Sequence, residues 1–269
     1  MNISGLWIYP VKSLGGVPVT AADVEARGLA GDRRWMIVDG NGRFVTRREV
    51  PELARIGMES GEGGHRLSAR EGEAMLPVRT SQGLRMPVTV WSDTIDAQVV
   101  ENEASVLISE VAGRALRLAY LPDDTHRPVS AFYGRPAEEV SFADGFPILV
   151  ASEASLAAVN AELATPVPMA RFRPNIVLAG EGLKPWSEAK WAEILAGEVR
   201  MRFAKPCSRC IVITQHPDTG ARAEGNAVPM ALRRLGRFNA EGVLFGMNAV
   251  AETWGTIAVG DEVAFRPIP

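Results

Sequence analysis

Arg34-Trp35-Met36-Ile37-Val38-Asp39-Gly40-Asn41-Gly42-Arg43-Phe44-Val45-Thr46 is the stretch from which the fold class is read. Two short β-type runs, Arg34–Asp39 and Arg43–Thr46, flank Gly40-Asn41-Gly42. Asn and Gly tolerate the positive φ that tight hairpin turns require, so the stretch reads as a hairpin. The same texture recurs along the chain. Ile3–Tyr9, Met58–Ala69, Arg117–Tyr120, Phe146–Ala151, Ile176–Ala179, Val199–Ala204, Ile211–Thr214, Leu244–Val250 and Glu262–Phe265 read as strands. Pro87–Trp91 and Ile95–Val100 read as a second hairpin around Ser92-Asp93-Thr94. Three segments carry helical signals instead. They are Glu103–Ala112 with Gly113 as its stop, Glu153–Leu163 with Ser152 as its N-cap, and Pro229–Leu235.

Many short strands with few helices point to a mainly β, α+β protein built from barrels or sandwiches. The regular strand–helix alternation of a doubly wound sheet is missing. Leu121–Glu139 is rich in Pro, Asp and Gly and lacks periodicity. It reads as a long connection, which divides the chain into 1–120 and 121–269.

The 269 residues are 46% hydrophobic and 23% charged, with a formal net charge of -3. That composition suits a globular protein with a sizeable core and gives no electrostatic case for nucleic acid. No apolar run approaches the roughly 18–20 residues that span a bilayer, and the start does not read as a signal peptide. The expectation is a cytoplasmic protein with no membrane partner.

The familiar catalytic motifs fail. Gly180-Glu181-Gly182 lacks the third glycine of a dinucleotide fingerprint, and no P-loop, nucleophile elbow or H-E-x-x-H spacing occurs. His65, His126 and His216 are scattered. Two cysteines without nearby histidines supply neither a structural zinc site nor an iron–sulfur cluster.

Both cysteines lie in Lys205-Pro206-Cys207-Ser208-Arg209-Cys210, and three readings compete. A redox dithiol wants the pair at a helix start, whereas Cys210 leads into the β-type run Ile211–Thr214. A purely structural role is opposed by Lys205 and Arg209, which favour thiolate. A single thiolate ligand suffices where an organic cofactor brings the other donors, as when a pterin dithiolene holds molybdenum. Such a group is also phosphorylated, so it wants cations. Lys12-Ser13 after the first strand, Arg33 in Gly31–Trp35 and Arg173 in Arg171–Asn175 are candidates.

Together these segments resemble the MOSC superfamily over nearly the whole chain. Tyr9–Ser13 and Asp32–Val38 resemble its N-terminal β-barrel domain; Phe142–Pro147, Ser152–Leu156, Arg171–Asn175, Cys207–Cys210 and Val212–Gly220 resemble the MOSC domain itself. Within the superfamily the amidoxime-reducing and YcbX-type proteins look most similar. The resemblance implies two β-barrel-like domains and a molybdenum cofactor cycling between Mo(IV) and Mo(VI). It implies reduction of small N-hydroxylated compounds, without pyridoxal phosphate. It makes Cys210 the metal ligand and catalytic residue. It makes Lys12, Ser13, Arg33, Asp144, Arg173, Asn175, Ser208 and Arg209 cofactor contacts, and leaves Cys207 the less essential thiol. The chain shows neither the N-terminal anchor nor the C-terminal iron–sulfur domain of such relatives. Electrons are therefore expected from a separate ferredoxin, cytochrome or flavin reductase. The alternatives are a cofactor carrier without turnover and a plain dithiol protein.

Overall fold

The computed structural model describes residues 1–268. Nineteen strands and three α-helices make the protein mainly β among these residues. The strands form one nine-stranded, one four-stranded and two three-stranded sheets. None of them closes into a barrel, which corrects the expectation of two barrel-like units. The reason lies in the first strand. Asn2–Ile8 does not complete the N-terminal half; it pairs antiparallel with Ile176–Ala179, Leu6 facing Ile176 and Asn2 facing Ala179. On its other side it pairs with Val17–Val19. One apolar core accordingly crosses the chain, with Ile3, Leu6, Trp35, Ile37 and Leu118 packed among Ile148, Ile176 and Met201.

The helices form where their caps are encoded. Asn102 and Ser105 make a reciprocal capping box before Glu103–Ala112, and Gly113 ends that helix at φ 66°. Ser152 caps Glu153–Asn160, which stops three residues short of the expected Leu163. Ala227–Arg234 is the third helix.

Three further expectations are revised. The Gly40–Gly42 turn forms, with Asp39 Oδ1 accepting the Asn41 and Arg43 amides at 2.9 and 3.0 Å. Its second arm, Arg43–Thr46, is not a continuous strand. The Phe44 amide bonds Thr89 O while the Val45 amide bonds Ile37 O, so the arm is shared between two neighbours. Ile211–Thr214 is a 3₁₀ turn, not a strand. Only Ile213 finds a core there, and Thr214 Oγ1 closes the turn on Ile211 O at 2.7 Å. The preceding strand runs on from Val199 to Arg209, past Ala204, because bulges at Phe203–Lys205 and Pro206–Ser208 absorb a proline that has no amide to donate. The strands Ala21–Glu25, Trp191–Ala196 and Gly255–Ala258 carry no strong sequence signal.

His65 is buried on the strand Gly64–Ala69, with Nδ1 unpartnered. Burial holds its pKa below the ordinary histidine value, so the folded protein keeps it neutral. The unfolded chain takes up a proton below about pH 6.5 that the folded chain refuses. Stability should fall as pH drops through that range. The Tm of His65→Leu should depend less on pH between about 7 and 5; equal slopes in variant and parent would refute this.

Candidate active site

The site begins with one buried carboxylate. Asp32, 1% exposed, accepts the Tyr9 amide at 2.8 Å and Asn175 Nδ2 at 3.0 Å, and it pairs with Arg33. Asn175 Oδ1 in turn accepts Arg33 Nη1 at 2.9 Å and the Leu149 amide at 3.1 Å. Tyr9 Oη donates to Pro174 O at 3.1 Å. Three segments distant in sequence are thereby fastened together: 7–14, 32–35 and 171–175. Burial pushes the Tyr9 phenol up to about 12 despite the opposing pull of Arg173 and Arg33. It therefore stays neutral beside the two guanidiniums, which stack at 4.3 and 4.2 Å from its ring centroid.

Above this hub lies an open cleft. Lys12, Arg33, Arg47, Arg48, Arg173 and Arg209 line it, against a single carboxylate, Asp144. Ser13, Arg33 and Arg173 hold φ of 77°, 48° and 53° without being glycine, and Trp91 beside the mouth holds 56°. Left-handed backbone costs a residue with a Cβ on the order of 1–3 kcal/mol, so its clustering here marks a site where geometry outranks stability.

Each cation has its own anchor. Lys12 Nζ donates to Phe142 O at 2.8 Å and pairs with Asp144. Burial lowers the Lys12 pKa. Burial would raise the Asp144 pKa, but Lys12, then Arg48 and the Trp91 N–H, hold it well below the usual carboxylate range. Arg127 grips the Asp144 loop through Ser141 O and Ala143 O at 2.8 and 2.6 Å. Arg47 reaches across to Gln215 Oε1 at 3.0 Å and His216 O at 3.0 Å, and burial draws its pKa down to about 10. Arg173 donates to Leu14 O at 2.6 Å. Burial, with Arg33 and Arg47 nearby, draws its pKa to about 9, although Tyr9 opposes the shift.

Cys207 and Cys210 both line the cleft as free thiols, Cys210 exposed and Cys207 half-buried. Cys210 is the N-cap of the 3₁₀ turn. Arg209 donates to Cys207 Sγ at 2.8 Å and to Phe172 O at 2.7 Å, while its buried Nε has no partner.

Lys12, Ser13, Arg33, Asp144, Arg173, Asn175, Arg209 and Cys210 thus meet in one cleft. Ser208 does not line it. Strand alternation turns its hydroxyl outward to Glu241 O at 2.7 Å. Arg47, Arg48 and Asn248 are lining residues that sequence reasoning missed. A pair of arginines after a hairpin reads as solvated charge, and only the fold turns them inward.

Family profiles described as "MOSC N-terminal beta barrel domain" and "MOSC domain" match residues 1–115 and 137–264. The human mitochondrial amidoxime-reducing component 1 is 33% identical over 97% of this chain and 82% of its own length. This chain belongs to the MOSC family. Among other MOSC relatives, the Mus musculus amidoxime-reducing component 1 is 30% identical over 97% of this chain and 81% of that protein. The molybdenum cofactor sulfurase of Oryza sativa is 27% identical over 92% of this chain and 32% of that protein. The MOSC cleft suits a bound polyanion with a soft metal: six cations face one carboxylate, Arg209 Nε is buried and unpartnered, and an exposed thiol stands at the side.

Replacing Asp32 by Ala would leave Arg33, the Tyr9 amide and Asn175 without their shared acceptor. A loss of about 3–5 kcal/mol in stability is expected, and a smaller loss for Asp32→Asn, which keeps an acceptor oxygen. Urea unfolding of both variants checks this; an Asp32→Ala loss under about 1 kcal/mol would show that Asp32 does not hold these segments together.

Proposed function

We propose that this protein is a molybdenum-cofactor oxidoreductase that removes oxygen from the N–O group of small N-hydroxylated compounds, with electrons from a separate donor protein. The observation that carries the reading is the exposed Cys210 thiol in a cleft whose charged lining is six cations and one carboxylate. The names of the amidoxime-reducing relatives supply the reaction class.

In this reading Cys210 Sγ is the protein's ligand to molybdenum. Two-electron redox chemistry is what the cofactor contributes when bound. Lys12, Arg33, Arg173 and Arg209 offset its negative charge, and the unpartnered Arg209 Nε is a donor waiting for an acceptor. Ser13 offers a hydroxyl from its strained turn, and Asn175 fixes Arg33 in place. Asp144 holds Lys12 Nζ, which carries an exchangeable proton in the cleft. Ser208, whose hydroxyl faces Glu241 away from the cleft, has no part in holding the cofactor. Residues 1–120 and 121–269 act as two units that meet at this cleft. No helix among the described residues is long and apolar enough to cross a membrane.

The test is expression in a host that makes molybdenum cofactor, followed by metal and pterin analysis. Parent protein and Cys207→Ser should carry near-stoichiometric molybdenum, and Cys210→Ser should lose most of it. Reduced viologen should then drive turnover of a small amidoxime. Molybdenum bound without turnover would make the protein a cofactor carrier; equal metal loss in both cysteine variants would restore a dithiol role.

A further inference from the structure

Cleavage of each N–O bond consumes two electrons and two protons: R–NHOH + 2e⁻ + 2H⁺ → R–NH₂ + H₂O. On the oxidoreductase reading, which this inference rests on, a one-electron carrier must be oxidised twice per turnover. It must also approach the surface near Cys210.

That surface has a distinct character. Ala227–Arg234 buries Val228, Ala231 and Leu232 against Ile213 of the turn that Cys210 caps. The same helix leaves Met230 56% exposed, and Ile211, immediately after Cys210, is 45% exposed. Phe238, 48% exposed, pairs across from Val243, and Val243 pairs on its other side with Arg209. Phe238 is therefore two strands from Arg209, or about 10 Å. Arg233 and Arg234 are exposed at the end of the same helix, Arg222 is exposed at its start and bonds Asn226, and Arg237 is turned inward to stack on Trp186 at 4.8 Å. Arg234 is bound to Glu162. Arg222, Arg233 and Arg237 have no ion-pair partner among the described residues, and Arg233 stacks over Phe238 at 5.3 Å. Glu224, the acidic residue within residues 221–239, is taken by Arg171 at 2.7 Å. The patch is thus basic on a chain whose formal net charge is -3.

We propose that this face, formed by the outer side of Ala227–Arg234 with Ile211 and Phe238, docks a small acidic electron-transfer protein that delivers single electrons beside Cys210. Two exposed guanidiniums without an ion-pair partner, Arg222 and Arg233, beside a few apolar side chains suit such a partner. Redox encounters are small and brief, and their rate comes from charge steering with a modest apolar contact at the centre. Their rates also fall as salt screens the charges.

The experiment uses cofactor-loaded protein and two kinds of reductant. A reduced, strongly acidic plant-type ferredoxin and an acidic b-type cytochrome probe the surface; reduced methyl viologen bypasses it. In Arg222→Glu/Arg233→Glu the rate with the acidic proteins should fall at least about tenfold at low salt, with viologen-driven turnover unchanged. Arg233→Lys should keep the parent rate, and Met230→Glu should weaken protein-driven turnover alone. Calorimetric binding of the oxidised carrier should weaken in parallel. Parent-like rates with the protein donors in the double variant would overturn the docking surface. So would failure of both acidic proteins to reduce a parent enzyme that viologen reduces. Absence of viologen-driven turnover in the parent would instead overturn the oxidoreductase reading on which the inference stands.

Discussion

A single buried carboxylate, Asp32, sets the geometry on which the cleft depends. Its neighbours are an amide from one segment, a guanidinium from its own, and a side-chain amide from the other half of the chain. Six cations around one cavity would repel each other and drift into solvent. Here two of them stack over the ring of a phenol that is itself held by Pro174 O, and another is tethered to Asp144. The positive field is built from groups that cannot relax away from one another. Such preorganised charge binds an anion without a reorganisation cost.

Local strain has the same origin. Ser13, Arg33 and Arg173 sit at turns where a glycine would be cheaper, yet glycine would bring no hydroxyl or guanidinium. The backbone hydrogen bonds that enforce those turns come from the packed interior: Lys12 N to Trp35 O, Arg33 N to Tyr9 O, and Phe142 N to Arg33 O. The strain is carried by the sheets beneath, whose shared core spans both halves.

Much of this was legible in the sequence, for identifiable reasons. Caps are local chemistry, so Gly113 and Ser152 declared two helices, while the Asn102–Ser105 capping box shows only in the structure. Short polar motifs such as Asp32-Arg33, Arg173-Pro174-Asn175 and Cys207–Cys210 declared most of the cleft. The illegible parts are those where tertiary partners outvote local preference. Ile211–Thr214 has strand composition, but its only buried apolar site is met by winding. Arg47 and Arg48 look like surface charge until Gln215 and His216 draw Arg47 inward and Trp91 stacks Arg48 at 4.4 Å. Ser208 sits inside a site motif yet faces away, because a strand presents alternate residues to opposite sides. Barrel closure was misjudged because no local signal says that the first strand pairs with Ile176–Ala179.

That pairing also has a bearing on the order of events in time. Asn2–Ile8 leaves the ribosome well before its antiparallel partner, which follows about 170 residues later. At ordinary elongation rates the strand waits on the order of 10–30 s before its ladder can form. Asp32 and Tyr9 emerge early, but Asn175 is missing throughout that interval. The anion-binding cleft therefore does not grow piecemeal during synthesis. It is complete only late, after both halves exist, and a cofactor has nothing complete to bind until then.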